Sequence, residues 1–125
     1  YAFQVYINNG VMDLMWQQRS ADVFLGLPYD ISMYGLLLEM LAKGADLKAG
    51  QLIGQLGDCH LYNNHLEQAK VYLNRPNIPA SPKVNIDYGI FMDTANCLYI
   101  PDSSEIKLTN YNPLPAIKAE LSVGK

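Results

Sequence analysis

The sequence predicts an α+β domain in which sheet strands and helices pack on a shared core, and three observations lead to this class. Residues 2–18 alternate apolar and polar side chains on either side of an Asn-Gly pair, which is typical of a β-hairpin. Residues 31–41 repeat their apolar side chains at helical spacing. Residues 51–62 then return to a strand pattern.

The opening hairpin carries the strongest local signal. We expect strands over Ala2–Ile7 and Val11–Gln18, joined by Asn8-Asn9-Gly10. Asn and Gly tolerate a positive φ at low cost, and short hairpin turns require that backbone conformation.

The first helix is indicated by a run of apolar residues three or four positions apart. These residues are Ile31, Tyr34, Leu37, Leu38 and Leu41. Asp30 is the expected N-cap and Gly44 the expected stop. Leu36 and Met40 make the helix apolar on nearly every side, so we expect it to be buried.

The second half of the chain is less regular. Lys48-Ala49-Gly50 favours a turn, and the strand over Gln51–Tyr62 contains Gly54 and Gly57 as candidate bulges. A shorter helix is expected at about 64–73, followed by a loop at 74–82 whose three prolines exclude regular structure. Short strands are expected over 83–87 and 105–111, with an irregular insert between them.

Composition and charge exclude several classes of protein. Half of the residues are apolar and 17% are charged, which is a globular composition. The net charge is −3 and the only arginines are Arg19 and Arg75, so a broad nucleic-acid-binding surface is not expected. The apolar runs are too short to span a membrane, and no signal-peptide pattern occurs.

The cysteines indicate the compartment. Cys59 and Cys97 do not form the framework of a disulfide-rich secreted protein. The default location is therefore cytoplasmic.

The start of the sequence is unusual. The chain opens at Tyr1 without an initiator methionine and enters at once into a strand pattern. We therefore expect residues 1–125 to be the C-terminal portion of a longer protein.

A specific polar pattern follows the hairpin. Arg19 and Ser20 are followed by Asp22 and the turn Leu-Gly-Leu-Pro, and further along the chain by His60 and Tyr62. An arginine fork and a hydroxyl suit a phosphate group. The pattern therefore favours a nucleotide-binding site.

This pattern resembles the thymidylate synthase family. The resemblance runs almost without gaps through residues 17–67, includes the closing segment 110–123 and fits the opening strand, whereas residues 76–107 have no clear counterpart. It implies a thymidylate synthase-like mixed sheet with packed helices, incomplete at the N-terminus. Residues 1–125 would be the C-terminal portion of one catalytic domain.

The chemistry that the resemblance implies is one-carbon transfer to C5 of a pyrimidine nucleoside monophosphate. A cysteine thiolate adds to C6, and 5,10-methylenetetrahydrofolate is the cosubstrate. The family's nucleophile lies in a Pro-Cys-His element that would fall upstream of Tyr1. Cys59 adjoins His60, but neighbours on a strand face opposite sides. We expect Cys59 to be a buried packing residue and Cys97 to be incidental.

The resemblance also implies roles for the residues of the strand end. Arg19 and Ser20 would bind the phosphate, with Gln18 and Ala21 among the substrate contacts. One arginine rarely neutralises a phosphate dianion, so further cations are expected from the missing segment or from a second subunit. In the family these cations come partly from the neighbouring subunit, so the resemblance implies a homodimer.

Three further residues are assigned to the folate by resemblance. The side chain of Asp22 would contact the pterin ring, and its backbone would contact the pyrimidine. The alternative is that Asp22 only caps the end of the strand. Gly26 would permit close approach of the backbone to ligand. Ser122 lies in the closing tail, but the chain ends Ser-Val-Gly-Lys where relatives end on a short apolar residue, which leaves its closing role open.

His60 and Tyr62 resemble the pair that binds the sugar 3′-hydroxyl. Two residues apart on one strand, they would project from the same face. The alternative for His60 is a hydrogen-bonded core histidine.

The resemblance implies that residue 30 reads the pyrimidine base. A close relative would be expected to carry asparagine at this position, and an asparagine amide matches the O4 acceptor and N3–H donor of uracil. Cytosine reverses this edge, and an aspartate accepts from its N4 amine and, if protonated, donates to N3. Within the family, an aspartate at this position resembles the deoxycytidylate hydroxymethylases of bacteriophages, which form 5-hydroxymethyl-dCMP. If a phage genome encodes the protein, the expected location is the host cytoplasm. The alternatives are a thymidylate synthase acting on dUMP, a non-catalytic nucleotide-binding fragment, and an Asp30 that only caps the helix.

Overall fold

The computed structural model describes residues 2–76 and 82–122. Strand β1 (Ala2–Asn8) pairs antiparallel with β2 (Val11–Asp22), and β2 pairs parallel with β3 (Lys48–His60). The hairpin is confirmed, because Asn9 and Gly10 take φ values of 49° and 77° as a two-residue turn requires. The sheet is mixed, with β2 in the centre.

Strand β3 begins earlier than expected. The predicted turn over 48–50 is wrong, because this segment already pairs with β2. The register shifts between Met12 and Leu14, where β3 holds one extra residue. The carboxylate of Asp13 accepts a hydrogen bond from the Gln51 N–H at this point, so a side chain satisfies the displaced backbone group. Gly54 and Gly57 lie beyond this shift and are not bulges.

Helix α1 (Leu27–Gly44) also begins earlier than expected. Its N-cap is Gly26, and Pro28 lies in its first turn, where a missing N–H costs nothing. The prediction that Asp30 caps the helix is wrong, because Asp30 already lies within the first turn. Beyond Gly44 the chain turns at Asp46, which has a φ of 54°.

The core lies between one face of the sheet and one face of α1. Alternate residues of β2 meet helix residues spaced four apart. The buried members are Met12, Leu14, Trp16, Tyr34, Leu38 and Ala42. The expectation that α1 is buried all round is wrong for the described chain, since Ile31 and Met33 are 46% and 56% exposed.

The second half contains smaller elements. A 3-10 turn (Asn63–His65) leads into α2 (Leu66–Leu73), which confirms the second helix. Strands β4 (Lys83–Ile86) and β7 (Ile106–Thr109) pair antiparallel.

Between these two strands lies a short hairpin of β5 (Phe91–Met92) and β6 (Leu98–Tyr99), followed by a 3-10 turn at Ser103–Glu105. Most of the proline-rich loop lies outside the described residues. Within the described ranges, neither helix combines the length and the apolar character needed to cross a bilayer.

Candidate functional site

An open groove lies where β2 and β3 end. Its lining is formed by Arg19, Ser20, Asp58, His60, Leu61, Tyr62 and Asn63. Four residues that the sequence pattern singled out therefore surround one space, although about forty positions separate the two groups along the chain. Parallel pairing explains this, because β2 and β3 end at the same edge of the sheet: Ser20 lies opposite Asp58, and Asp22 opposite His60.

Arg19 and Ser20 form one side of this groove. The Arg19 side chain is exposed and makes no ion pair with any residue in the described ranges. Ser20 is half-buried beside it. Together they offer a free cationic fork and a hydroxyl, which suits a phosphate oxygen.

His60 and Tyr62 form the other side. Their ring centroids lie 4.8 Å apart with an angle of 81° between the planes. His60 is the last residue of β3 and Tyr62 lies beyond it, so the prediction that both stand on one strand is wrong, although the rings do meet. Nδ1 of His60 lies 3.2 Å from the carbonyl of Asp58, which can only accept. Nδ1 therefore carries the hydrogen of this bond and leaves Nε2 for a ligand.

Gln18 connects β2, the strand that carries Arg19 and Ser20, to α1. The residue is 6% exposed, and its Nε2 donates to the Ser20 carbonyl at 2.9 Å and to Oδ2 of Asp30 at 2.7 Å. Its Oε1 accepts from the indole Nε1–H of Trp16 at 3.1 Å. The amide is thus fully satisfied without any ligand.

Asp30 is half-buried and turned towards the sheet. Its Oδ2 is taken by Gln18, and Oδ1 accepts no hydrogen bond from the described residues. The side chain makes no N-cap bond, since α1 has none. The alternative that Asp30 only caps the helix is therefore not what the structure shows.

Asp22 organises the turn that follows β2. Its Oδ1 accepts from the N–H groups of Phe24 and Leu25 at 3.0 and 3.2 Å, which is the strand-end capping role. A Cβ on Gly26 would lie 3.3 Å from the Asp22 carbonyl, so a small residue is favoured there. Ala21 is completely buried and pairs with Cys59 in the sheet.

The closing tail returns to the start of the second helical segment. His65 is fully buried, and its Nε2 lies 2.7 Å from the carbonyl of Glu120. Ser122, two residues further on, is half-buried. Residue 123 lies outside the described residues, so the expectation for the tail rests on Ser122 alone.

Neither cysteine has the environment of a packing residue. Cys59 is exposed, so the expectation that it is buried is wrong. The physical reason is that β3 is an outer strand of the described sheet, and the three residues before its last one, Gly57–Cys59, are all exposed. Cys97 is exposed in the β5–β6 hairpin. No group of three or more metal-ligating side chains occurs among residues 2–76 and 82–122.

The sequence pattern did not indicate one residue that supports the candidate site, Trp16. Trp16 was expected only as a strand residue, yet its indole N–H contacts the amide that holds Asp30. Its position two residues before Gln18 on the same face of β2 is the only signal that could have indicated the contact.

Comparison with known proteins identifies a family. The family model described as Thymidylate synthase matches residues 1–123. Proteins named thymidylate synthase from Listeria monocytogenes serotypes 4a and 4b are 41% identical over 121 residues. The match covers 97% of this chain but 37% of each relative.

Proposed function

The chain belongs to the thymidylate synthase family, and from this premise we propose that the protein containing it transfers one carbon to C5 of a pyrimidine nucleotide. The proposed substrate is dCMP, the cosubstrate is 5,10-methylenetetrahydrofolate, and the product is 5-hydroxymethyl-dCMP. Residues 1–125 would form the C-terminal portion of the catalytic domain.

The observation that carries the choice of substrate is the position of Asp30. One carboxylate oxygen is held by Gln18, and the other is free of hydrogen bonds from the described residues. A free carboxylate oxygen accepts from the N4 amine of cytosine, whereas it would oppose the O4 oxygen of uracil. An unsatisfied buried polar group costs about 1–3 kcal/mol, so this edge alone can discriminate tenfold or more.

The groove supplies the rest of the nucleotide contacts. Arg19 and Ser20 would bind the phosphate, and His60 and Tyr62 the sugar 3′-hydroxyl. Because a hydroxyl donates to a bare imidazole nitrogen, Nε2 of His60 is the proposed acceptor. Gln18 is 6% exposed and Ala21 is completely buried, so these two predicted substrate contacts would support the nucleotide-binding residues from within the sheet.

The folate would lie beside the turn at the end of β2. Oδ2 of Asp22 accepts no hydrogen bond from the described residues and is available to the N–H groups of a pterin ring. Gly26 and Ser122 are the other proposed contacts. When bound, methylenetetrahydrofolate supplies the carbon at the oxidation level of formaldehyde.

The nucleophile is proposed to lie outside these residues. Cys59 is next to His60 on β3, so the two side chains point to opposite faces of the sheet, and Cys59 is not among the residues that line the groove. Cys97 belongs to the β5–β6 hairpin, whose strands pair with no other strand among residues 2–76 and 82–122. A cysteine upstream in the complete protein would therefore have to provide the thiolate.

We also propose a homodimer formed through the open face of the sheet. Tyr6 and Ile53 of this face are 66% and 43% exposed, and Arg19 lies on the same side. A second subunit would cover the apolar residues and bring cations to the phosphate. Sedimentation of the full-length protein tests this: Ile53→Lys should yield monomers, and a dimer that survives it would contradict the proposed interface.

The competing function is methylation of dUMP by a thymidylate synthase, which is the name of the Listeria monocytogenes relatives. The decisive experiment compares kcat/KM for dCMP and dUMP with the full-length protein and with Asp30→Asn. We expect the wild type to prefer dCMP by roughly 100-fold, because with uracil the free oxygen of Asp30 and the O4 oxygen would both lack a donor. Asp30→Asn should reverse the preference.

Mass spectrometry of the product distinguishes hydroxymethylation from methylation. Attack by water leaves tetrahydrofolate, whereas methylation consumes a hydride and yields dihydrofolate. Asp46→Asn makes the same chemical change at the far end of α1, where asparagine tolerates the φ of 54°, and should leave the preference unchanged. A wild-type preference for dUMP would overturn the proposal.

A further inference from the structure

We propose that Trp16 is a positioning residue that sets base specificity through Gln18, an inference that rests on the proposed function of Asp30 as base reader. Trp16 has no place in the groove itself. Its indole packs in the core, and its single polar atom, Nε1, lies 3.1 Å from Oε1 of Gln18.

The indole is held firmly in one place. On one side it stacks on the ring of Tyr34 in α1, with centroids 5.2 Å apart and planes 16° apart. On the other side it lies against Gly54 of β3, where a Cβ would come within 2.5 Å of two indole carbons. Only glycine fits there without movement. The direction of the N–H is therefore fixed by the packing of a helix and a strand.

This fixed donor determines the orientation of the Gln18 amide. An indole N–H can only donate and the Ser20 carbonyl can only accept, so Oε1 must face Trp16 and Nε2 must face Ser20. Both groups belong to the fold rather than to the ligand. Nε2 then presents its second hydrogen to residue 30.

The orientation of this amide decides what residue 30 shows to a ligand. Residue 30 must use an acceptor to meet Nε2 of Gln18. An aspartate then has a second oxygen for the ring, which is an acceptor, whereas an asparagine would have its NH2 group, which is a donor. Through Gln18, the core contact of Trp16 thus determines whether residue 30 presents an acceptor or a donor to the base.

Loss of the indole N–H would leave Oε1 of Gln18 buried without a partner. A buried acceptor in that state costs enough for the side chain to move or admit water. Either response shifts Nε2 away from Asp30 and frees its carboxylate to rotate. Discrimination between the two bases should then fall, while the groove residues stay in place.

The test uses the full-length protein and measures the Kd of dCMP and of dUMP by calorimetry without folate. Replacing Trp16 by 3-benzothienylalanine, which exchanges the N–H for sulfur at nearly the same volume, removes only the donor. We expect the ratio of the two Kd values to move about tenfold towards one, the cost of one unsatisfied group. A ratio within twofold of the wild type would overturn the proposal.

Two controls separate positioning from damage to the core. Tyr34→Phe keeps the stacked ring, and Leu38→Ala opens a cavity in the same cluster away from the amide. Both should leave the ratio unchanged, even where Leu38→Ala lowers the melting temperature. A change in the ratio with Leu38→Ala as large as that at Trp16 would show a general packing effect and contradict the proposal.

A double-mutant cycle tests whether Trp16 acts through Gln18. Gln18→Met keeps the length of the side chain and removes both hydrogen-bonding groups. In that background the change at Trp16 should have no further effect on the ratio, and additive effects would contradict the proposed route. If the wild type prefers dUMP, the proposed substrate is refuted. The cycle still tests whether Trp16 acts on base preference through Gln18.

Discussion

Nε2 of His65 lies 2.7 Å from the backbone carbonyl of Glu120, and this bond joins the start of the second helical segment to the tail of the chain. His65 has no exposed surface, and its ring also lies 5.9 Å from that of Tyr62. The tail is therefore attached beside the wall of the groove. A buried histidine thus links the closing tail to the candidate site.

Removing this link should release the tail. We expect His65→Ala to lower the free energy of unfolding by about 1–3 kcal/mol, because a buried hydrogen bond is lost. Hydrogen exchange should rise in residues 116–122 before it rises in β2. His65→Gln, which can present an N–H to the same carbonyl, is the conservative control. Equal exchange in wild type and His65→Ala would show that other contacts hold the tail.

Arg19 should account for phosphate recognition. Arg19→Lys keeps the charge but loses the planar fork, so we expect affinity for dCMP to fall about tenfold and affinity for deoxycytidine, which lacks the phosphate, to stay the same. Calorimetry on the full-length protein measures both. Arg75→Lys is the matched control, since Arg75 donates to the Pro115 carbonyl instead. Equal losses for both ligands would argue against a phosphate role.

His60 and Tyr62 should recognise the sugar. Removing either partner of a hydrogen bond to the 3′-hydroxyl costs about 0.5–1.5 kcal/mol, or up to roughly tenfold in affinity. We therefore expect His60→Phe and Tyr62→Phe to weaken binding of dCMP but not of its 2′,3′-dideoxy analogue. If the variants weaken both nucleotides alike, the rings support the groove without contacting the hydroxyl.

Gly54 and Gly35 should respond in opposite ways to the same change. Gly54→Ala places a Cβ against the Trp16 indole and should lower stability by about 1–3 kcal/mol. Gly35 lies within α1 with only a Leu52 methyl carbon at 3.7 Å, so Gly35→Ala should raise stability by about 0.5–1 kcal/mol. Urea denaturation measures both. Equal effects would mean that the indole is not confined by β3.

Tyr99 makes the stability of the insert sensitive to high pH. Its hydroxyl donates to the Glu105 carboxylate, which raises the pKa of Tyr99 from 10.0 to about 12. The folded state thus holds this proton more tightly than the unfolded state. Its contribution to stability is complete below pH 10 and is lost as the pH rises to 12.

Ultraviolet titration of tyrosinate, taken as the difference between wild type and Tyr99→Phe, should show a midpoint near 12. Glu105→Gln should move this midpoint towards 10.0, because it removes the principal cause of the shift. A midpoint that stays in place with Glu105→Gln would contradict the assignment.

Local features of the fold were predictable from the sequence. Asn9 and Gly10 define the hairpin because their backbone preference is encoded within two residues. The start of α1 was misplaced because aspartate is a better N-cap than glycine. The turn sequence Gly26-Leu27-Pro28 contained the correct signal, since proline is favoured in the first turn of a helix.

The candidate site was predictable only where its residues follow one another on a strand or meet at one sheet edge. Arg19, Ser20 and His60 came from a sequence pattern, and parallel pairing brings them together. The contact of Gln18 with Asp30 joins a strand to a helix twelve positions on, and no local preference encodes it. Such a contact depends on how the helix packs across the sheet.

Strand β1 has a practical consequence for handling the protein. Phe3, Val5 and Ile7 share the face of the core residues of β2, yet they are 50%, 43% and 53% exposed. The outer edge of this strand also has no neighbouring strand within the described sheet. A recombinant polypeptide limited to these 125 residues should therefore be prone to precipitate or form β-rich oligomers as its concentration rises.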